Sequence, residues 1–103
     1  MESGNDIQEI QILDQNLHNI LLQKQAFQLE LSETTSALKE IEKSEEVFKL
    51  IGEIMMKADR EKVKEELSSK EKILGMRIKS IEKQEDSISK RLEELRKNIS
   101  KNS

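Results

Sequence analysis

The sequence predicts a mainly α fold, a long antiparallel α-helical coiled-coil hairpin with a short β-hairpin at the turn. Three observations predict it. Charged residues make up 38% of the 103 residues and Pro, Cys, Trp and Tyr are absent, a composition that is typical of long helices and poor in turn residues. Heptad repeats occupy residues 7–43 and 60–100, and an apolar segment at 47–58 separates them. We expect one domain over residues 1–103.

The first predicted helix, residues 7–43, has an apolar seam whose positions alternate steps of three and four. Eight of its ten seam positions are apolar, which favours a helix over a strand. The seam consists of Ile10, Leu13, Leu17, Ile20, Lys24, Phe27, Leu31, Thr34, Leu38 and Ile41. Lys24 and Thr34 are the polar exceptions, and a lysine at such a position typically sets register or extends its ammonium group to solvent.

The second predicted helix, residues 60–100, has a seam that Glu71 and Glu85 interrupt. Its apolar positions are Leu67, Leu74, Ile78, Ile81, Ile88, Leu92, Leu95 and Ile99. Asp59 is the expected N-cap. Gly75, inside the helix, destabilises it by about 1 kcal/mol relative to Ala, and we interpret it as a sign of local crowding or simple tolerance.

The two seams are out of phase, so they do not belong to one uninterrupted helix. Counting in sevens from Ile10 predicts seam positions at 66, 73 and 80, whereas the second seam carries Ile78, Glu85 and Leu92. The apolar stripe has slipped by two residues. An interruption of the helix, or a reversal of the chain, between the two repeats accounts for this slip.

The segment 47–58 between the repeats predicts a β-hairpin. Two apolar runs flank Gly52-Glu53, a type II′ turn signature that sets Ile51 opposite Ile54. A helical link broken at Gly52 is the alternative. The hairpin would carry apolar side chains on both faces, and an isolated two-stranded hairpin is marginally stable. We therefore predict oligomerisation through Val47, Phe48, Leu50, Ile51, Gly52, Ile54, Met55 and Met56.

The charge pattern narrows the choice of partners. The net charge of −3 argues against nucleic acid, and no apolar run approaches membrane-spanning length. Residues 1–43 hold eight acidic and three basic residues, and residues 59–103 hold ten acidic and thirteen basic residues, so the two helices attract each other if they lie side by side. With no signal peptide at the N-terminus, the expected compartment is the cytoplasm.

No residue pattern points to catalysis, a metal or a cofactor. His18 is the only histidine and there is no cysteine to share a metal ion with it. Adjacent acids such as Glu65 and Glu66 point about 100° apart on a helix, and no Gly-rich phosphate loop occurs. We expect neither an enzyme nor a cofactor.

Apolar residues continue to both ends of the chain, which an antiparallel pair brings together at the tip away from the β-hairpin. Fraying of helix ends would expose them, and exposed apolar groups commonly bind other chains. The predicted binding residues are Ile7, Ile10, Ile12, Leu13, Leu92, Leu95 and Ile99. Ordinary seam burial is the alternative, and it suits Leu17 and Leu92 better than Ile7, Ile12 and Ile99.

Three segments resemble the beta-type subunits of the archaeal prefoldin family. They are Gln25–Lys43 (QAFQLELSETTSALKEIEK), Val47–Lys57 (VFKLIGEIMMK) with its strand–Gly–strand pattern, and Ile81–Glu85 (IEKQE). The resemblance spans nearly the whole chain. The chain departs from the family in its methionine-rich hairpin and in Gly75.

The resemblance implies a chaperone subunit that needs no ATP. Two alpha-type and four beta-type subunits would form a hexamer whose hairpins build a β-barrel body. Its coiled coils would hold non-native proteins and deliver them to a group II chaperonin. The single hairpin fits the beta type, because alpha-type subunits carry two.

Two other functions stay open from the residues alone. One is a structural coiled-coil adaptor with a single dedicated partner. The other, a helical arm associated with nucleic acid, is disfavoured by the net acidity.

Overall fold

The computed structural model describes residues 2–102, which form two long helices joined by two strands. The helices are α1 (Glu2–Lys43) and α2 (Arg60–Asn102), and the strands are β1 (Val47–Ile51) and β2 (Ile54–Ala58). The predicted fold class, a mainly α coiled-coil hairpin with a β-hairpin at its turn, is confirmed. Met1 and Ser103, the ends of the predicted domain, lie outside the described residues.

Helix α1 begins at Glu2, earlier than the predicted residue 7. The polar first turn has no apolar residue to show a period, but it also has no proline to stop a helix. The absence of a pattern therefore hid a segment that is helical.

The chain forms two compact units, and each helix contributes to both. The terminal unit contains Met1–Ala26 and Ile78–Ser103, and the hairpin unit contains Phe27–Arg77. Ion pairs within each unit show that its two helical segments run antiparallel. In the terminal unit Glu9 contacts Arg91 while Lys24 contacts Glu85.

In the hairpin unit the seam packs Ile41 and Leu74, which are both buried. The two polar seam positions are satisfied within the unit. Thr34 is buried and its Oγ1 donates to the Glu30 carbonyl oxygen at 2.8 Å, while Glu71 Oε2 accepts from Thr35 Oγ1 at 3.1 Å.

At the half-buried Phe27 the seam is partly covered by a cation. The Arg77 guanidinium carbon lies 5.7 Å from the centre of the Phe27 ring, within the range of a cation–π contact. The heptad pattern predicts Phe27 in the seam but does not indicate this cover.

The β-hairpin has the predicted register. Val47 pairs with Ala58, Lys49 with Met56 and Ile51 with Ile54. Gly52 has a φ of 63°, and none of the described non-glycine residues has a positive φ. A positive φ at the first turn position alone is the pattern of a type II′ turn, whereas type I′ needs it at both.

Polar groups at the turn satisfy the ends of both helices. Asp59 is the N-cap of α2, as the sequence predicts, because its Oδ1 accepts a hydrogen bond from the Glu61 amide at 3.1 Å. Arg60 donates from Nε to the Ile41 carbonyl oxygen at 3.0 Å and from Nη2 to the Glu42 carbonyl oxygen at 3.3 Å. These carbonyls in the last turn of α1 have no partner within their own helix.

In the terminal unit the seam buries Ile81, Leu92 and Leu95. Its polar positions pair with each other across the helices, because Lys24 Nζ lies 3.3 Å from Glu85 Oε1 and 3.5 Å from Glu82 Oε2. The hydrogen bond to Glu85 raises the pKa of Lys24.

Gly75 is not a point of crowding. A Cβ atom at this position would meet nothing within 4 Å. Of the two interpretations of Gly75, tolerance agrees with the structure and crowding does not.

No helix among residues 2–102 combines the length and the apolar character that crossing a membrane requires.

Candidate interaction surfaces

The β-hairpin presents apolar side chains on both faces. One face carries Phe48, Leu50, Met55 and Lys57, and the other carries Val47, Lys49, Ile51, Ile54, Met56 and Ala58. Leu50 and Met55 face each other across the strands and are 66% and 69% exposed in the isolated chain. Exposed apolar side chains grouped in this way mark an interaction surface.

The hairpin also has free backbone edges. Within the described residues its sheet contains only β1 and β2, so each strand has one edge of N–H and C=O groups with no sheet partner. An apolar strand with a free edge is a template for pairing with a strand of another chain.

One charged contact joins β1 to α2, and a second joins β2 to the loop that precedes β1. Lys49 Nζ donates to Glu66 Oε2 at 2.7 Å, and Lys57 Nζ lies 3.8 Å from Glu46 Oε1. The strand lysines are thus engaged within the chain, while the apolar positions beside them stay exposed.

The structure separates the seven predicted binding residues into three groups. Ile7 and Ile12 are 48% and 61% exposed. Ile10, Leu13 and Ile99 are half-buried. Leu92 and Leu95 are buried, at 2% and 1% exposure, because the seam of α2 packs them against α1.

Leu92 and Leu95 are closed to solvent in this conformation, and their role in binding stays a prediction. A partner cannot reach these two side chains while the helices stay paired. Direct contact in the closed unit is available at Ile7 and Ile12, and it extends to Leu92 and Leu95 only where the helices separate.

Two arginines of α2 lie beside this apolar group and bind carboxylates of α1. Arg91 holds Glu9 through two hydrogen bonds, Nε to Oε2 at 2.8 Å and Nη2 to Oε1 at 3.1 Å. Arg96 Nη2 lies 3.1 Å from Asp14 Oδ1. The Arg91 hydrogen bond lowers the pKa of Glu9, and the same contact raises the pKa of Arg91.

The acidic α1 and the basic α2 pair in the hairpin unit as well. Lys64 binds Glu42 and Lys70 Nζ lies 2.9 Å from Glu30 Oε1. The hydrogen bond from Lys64 lowers the pKa of Glu42. The charge asymmetry between the helices is the signal that indicates such pairs, although it does not name the partners.

Nothing in the described part of the chain groups three or more His, Cys, Asp or Glu side chains around a possible metal ion. His18 lies on an exposed position of α1.

Comparisons with known proteins agree with this architecture. A family model described as prefoldin subunit matches residues 5–102. The prefoldin beta subunit of Thermococcus onnurineus is 41% identical over 88 residues, covering 82% of this chain and 76% of that protein. The prefoldin beta subunit of Pyrococcus furiosus is 32% identical over 94 residues, covering 88% and 80%.

A solved structure is similar over almost the full length. The crystal structure of the prefoldin beta subunit from Thermococcus strain KS-1 aligns with a TM-score of 0.90 and 31% identity, covering 98% of this chain and 91% of that one. With the two long helices, the exposed hairpin and the family match all in agreement, the chain belongs to the prefoldin family of chaperone subunits, among the beta type.

Proposed function

We propose that the chain is the beta-type subunit of a cytoplasmic hetero-hexamer, with two alpha-type and four beta-type subunits, that binds non-native proteins without ATP and delivers them to a group II chaperonin. The observation that carries the proposal is the β-hairpin, which is apolar and exposed on both faces in the isolated chain. Such a hairpin is stable when other subunits cover it.

Assembly through the hairpins follows from burial and edge pairing. The strands carry six large apolar side chains that are each more than half exposed, Phe48, Leu50, Ile51, Ile54, Met55 and Met56. Burying such a side chain contributes about 1.5–3 kcal/mol. Strand pairing between subunits would bury these side chains and satisfy the free backbone edges, which is how a barrel body would form.

Client binding is assigned to the helix ends of the terminal unit. Ile7 and Ile12 offer exposed apolar surface there, and unfolded clients display short apolar segments of no fixed sequence. A single contact of this kind is weak. Several subunits that hold one client raise the affinity through effective concentration, without a nucleotide and without shape matching.

Release to the chaperonin needs only competition. Because each contact is weak and separately reversible, a chaperonin surface that binds the same client segments can replace them one at a time. This delivery step rests on the family resemblance and on the weakness of each contact.

An aggregation assay tests the client-binding assignment. The chain is assembled with an alpha-type subunit and mixed with two unrelated denatured clients. Ile7→Ser with Ile12→Ser should leave the hexamer mass unchanged and reduce the suppression of aggregation several-fold. Leu29→Ser is the matched control, because Leu29 lies on the same helix and is 63% exposed, and it should retain full activity.

Equal protection by the Ile7/Ile12 double variant and the wild type would refute the assigned binding residues. A wild-type complex that protects neither client would instead favour a structural adaptor with one dedicated partner.

A further inference from the structure

The two cross-helix arginine pairs of the terminal unit surround its buried leucines. Arg91 immediately precedes Leu92, and Arg96 immediately follows Leu95. Their partners, Glu9 and Asp14, lie on α1 near the exposed Ile7 and Ile12. The opposite net charges of the two helices favour such pairs in general, but they do not identify these partners.

The two pairs lie on opposite flanks of the seam. Arg91 and Arg96 are five residues apart, which on an α-helix places them about 140° apart around the axis, with the seam between them. Glu9 and Asp14 have the same spacing on α1. Each arginine therefore closes one side of the helix pair over Leu92 and Leu95.

The pairs also run along opposite diagonals. In an antiparallel pair a higher number on α2 lies level with a lower number on α1, yet Arg91 reaches Glu9 while Arg96 reaches Asp14. When the helix pair is viewed from one flank, one contact lies in front of the seam and the other behind it, and the two contacts cross. Sliding of the helices in either direction lengthens one of them.

These ion pairs are strong enough to favour the paired state of the helix ends but weak enough to let the ends separate. The paired side chains are 41–47% exposed in one pair and 49–56% in the other, and an exposed ion pair shifts an equilibrium by about five-fold at most. Helix ends open with a local free energy close to zero. A few-fold change at this place thus alters how often the ends are open.

We propose that Glu9–Arg91 and Asp14–Arg96 form an electrostatic clasp that controls access to Leu92 and Leu95. With the clasp closed, the helix ends beside the two ion pairs offer Ile7 and Ile12 as exposed apolar side chains. With the clasp released, by salt or by a competing charged surface, the helix ends separate and the apolar surface grows to include the two buried leucines. The consequence for clients rests on the proposed function, whereas the opening itself does not.

Charge-reversal variants test the clasp in the assembled complex. Glu9→Arg and Arg91→Glu each replace the attraction with repulsion, and the double variant restores an ion pair of opposite direction. Lys90→Glu is the matched control, because it carries the same charge change one residue away and breaks only the Asp86–Lys90 pair within α2. Amide hydrogen exchange over residues 88–99 and binding of an apolar fluorescent dye measure the opening.

Each single variant should speed exchange in this segment by a few-fold and increase dye binding. The double variant should return both to the wild-type level, and Lys90→Glu should change neither. Singles that exchange like the wild type, or a double variant that stays open, would overturn the clasp. In the wild type, exchange in this segment should rise with salt concentration, and exchange independent of salt would also overturn it.

The client arm of the experiment is separate. Opened single variants should bind an unfolded client more tightly by a few-fold, and unchanged binding would overturn the control of access. If the wild-type complex binds no client at all, the proposed function fails, and the exchange data still decide whether the clasp closes the helix ends.

Discussion

Polar residues inside the seams are paired, so they define register without leaving unsatisfied groups. Lys24 meets Glu85, and Glu71 meets Thr35. A polar group at a core position stabilises one alignment of two helices because every shifted alignment leaves it without a partner. The heptad pattern identifies Lys24, Glu71 and Glu85 as exceptions, but their partners emerge only from the antiparallel alignment.

The Lys24–Glu85 pair should favour specificity over stability. Lys24→Leu alone leaves the Glu85 carboxylate without its main partner in a half-buried place and should lower Tm. Lys24→Leu combined with Glu85→Leu removes both polar groups and should raise Tm above the single variant, because a well-packed apolar pair often equals or exceeds an ion pair. Thermal unfolding followed by circular dichroism measures both, and a double variant less stable than the single would contradict this account.

Two of the three glycines, Gly52 and Gly75, should respond in opposite ways to substitution by alanine. Gly75→Ala should stabilise the chain by about 0.5–1 kcal/mol, because a helical glycine is replaced where a Cβ has open space. Gly52→Ala should destabilise it by about 1 kcal/mol, because φ is 63° there. Denaturant unfolding at one fixed chain concentration measures both, and a destabilised Gly75→Ala would show a contact that the structure lacks.

At the level of the elements, the two helices are complementary in charge, and residues at the turn between them supply hydrogen-bond partners to the end of α1 and the start of α2. Acidic positions of α1 meet basic positions of α2 in both units, and Arg60 supplies donors to the last carbonyls of α1. Single exposed pairs contribute little. Their common direction favours the antiparallel pairing of an acidic helix with a basic one over the pairing of like helices.

The carboxylates in these pairs predict a loss of stability in acid. The pKa of Glu42 is lowered from its ordinary value of 4.5 by the hydrogen bond from Lys64, so its contribution is complete above the unfolded pKa and is lost as pH falls through the folded one. The pKa of Lys64 is raised above 10.5, so its contribution is lost only at strongly basic pH.

Denaturant midpoints should therefore stay level from about pH 6 to 9 and fall below about pH 4. Glu42→Gln should reduce the acid dependence, and Glu33→Gln, an exposed position of the same helix, should not. An acid dependence unchanged by Glu42→Gln would remove this pair from the explanation.

The elements could be predicted from the sequence because each has a local cause. The heptad period identifies both helices, the phase slip requires a break, and Gly52 fixes the strand register. The exposure of individual side chains could not be predicted in the same way. Leu13 and Leu95 both occupy seam positions and are both predicted to bind other chains, yet Leu95 is buried and Leu13 is half-buried, because burial depends on what the opposite helix supplies.

For the whole molecule, the isolated chain leaves a large apolar surface exposed at its hairpin. Its buried apolar residues line the seam between the helices, while the hairpin keeps its largest apolar side chains in solvent. A chain with this distribution of burial gains stability from association. The subunit is thus explained as one part of an assembly, and we propose that the hairpin is where the subunits join.

The mass of the complex tests this central claim most directly. Leu50→Lys with Met55→Lys places two charges opposite each other on one face of the hairpin and leaves both helices intact. The wild-type chain mixed with an alpha-type subunit should give a hexamer by native mass spectrometry, and the variant should give subunits or small oligomers with unchanged helical circular dichroism. A hexamer formed equally well by the variant would contradict assembly through the hairpin. A wild-type chain that stays monomeric when it is mixed with the alpha-type subunit would contradict it too.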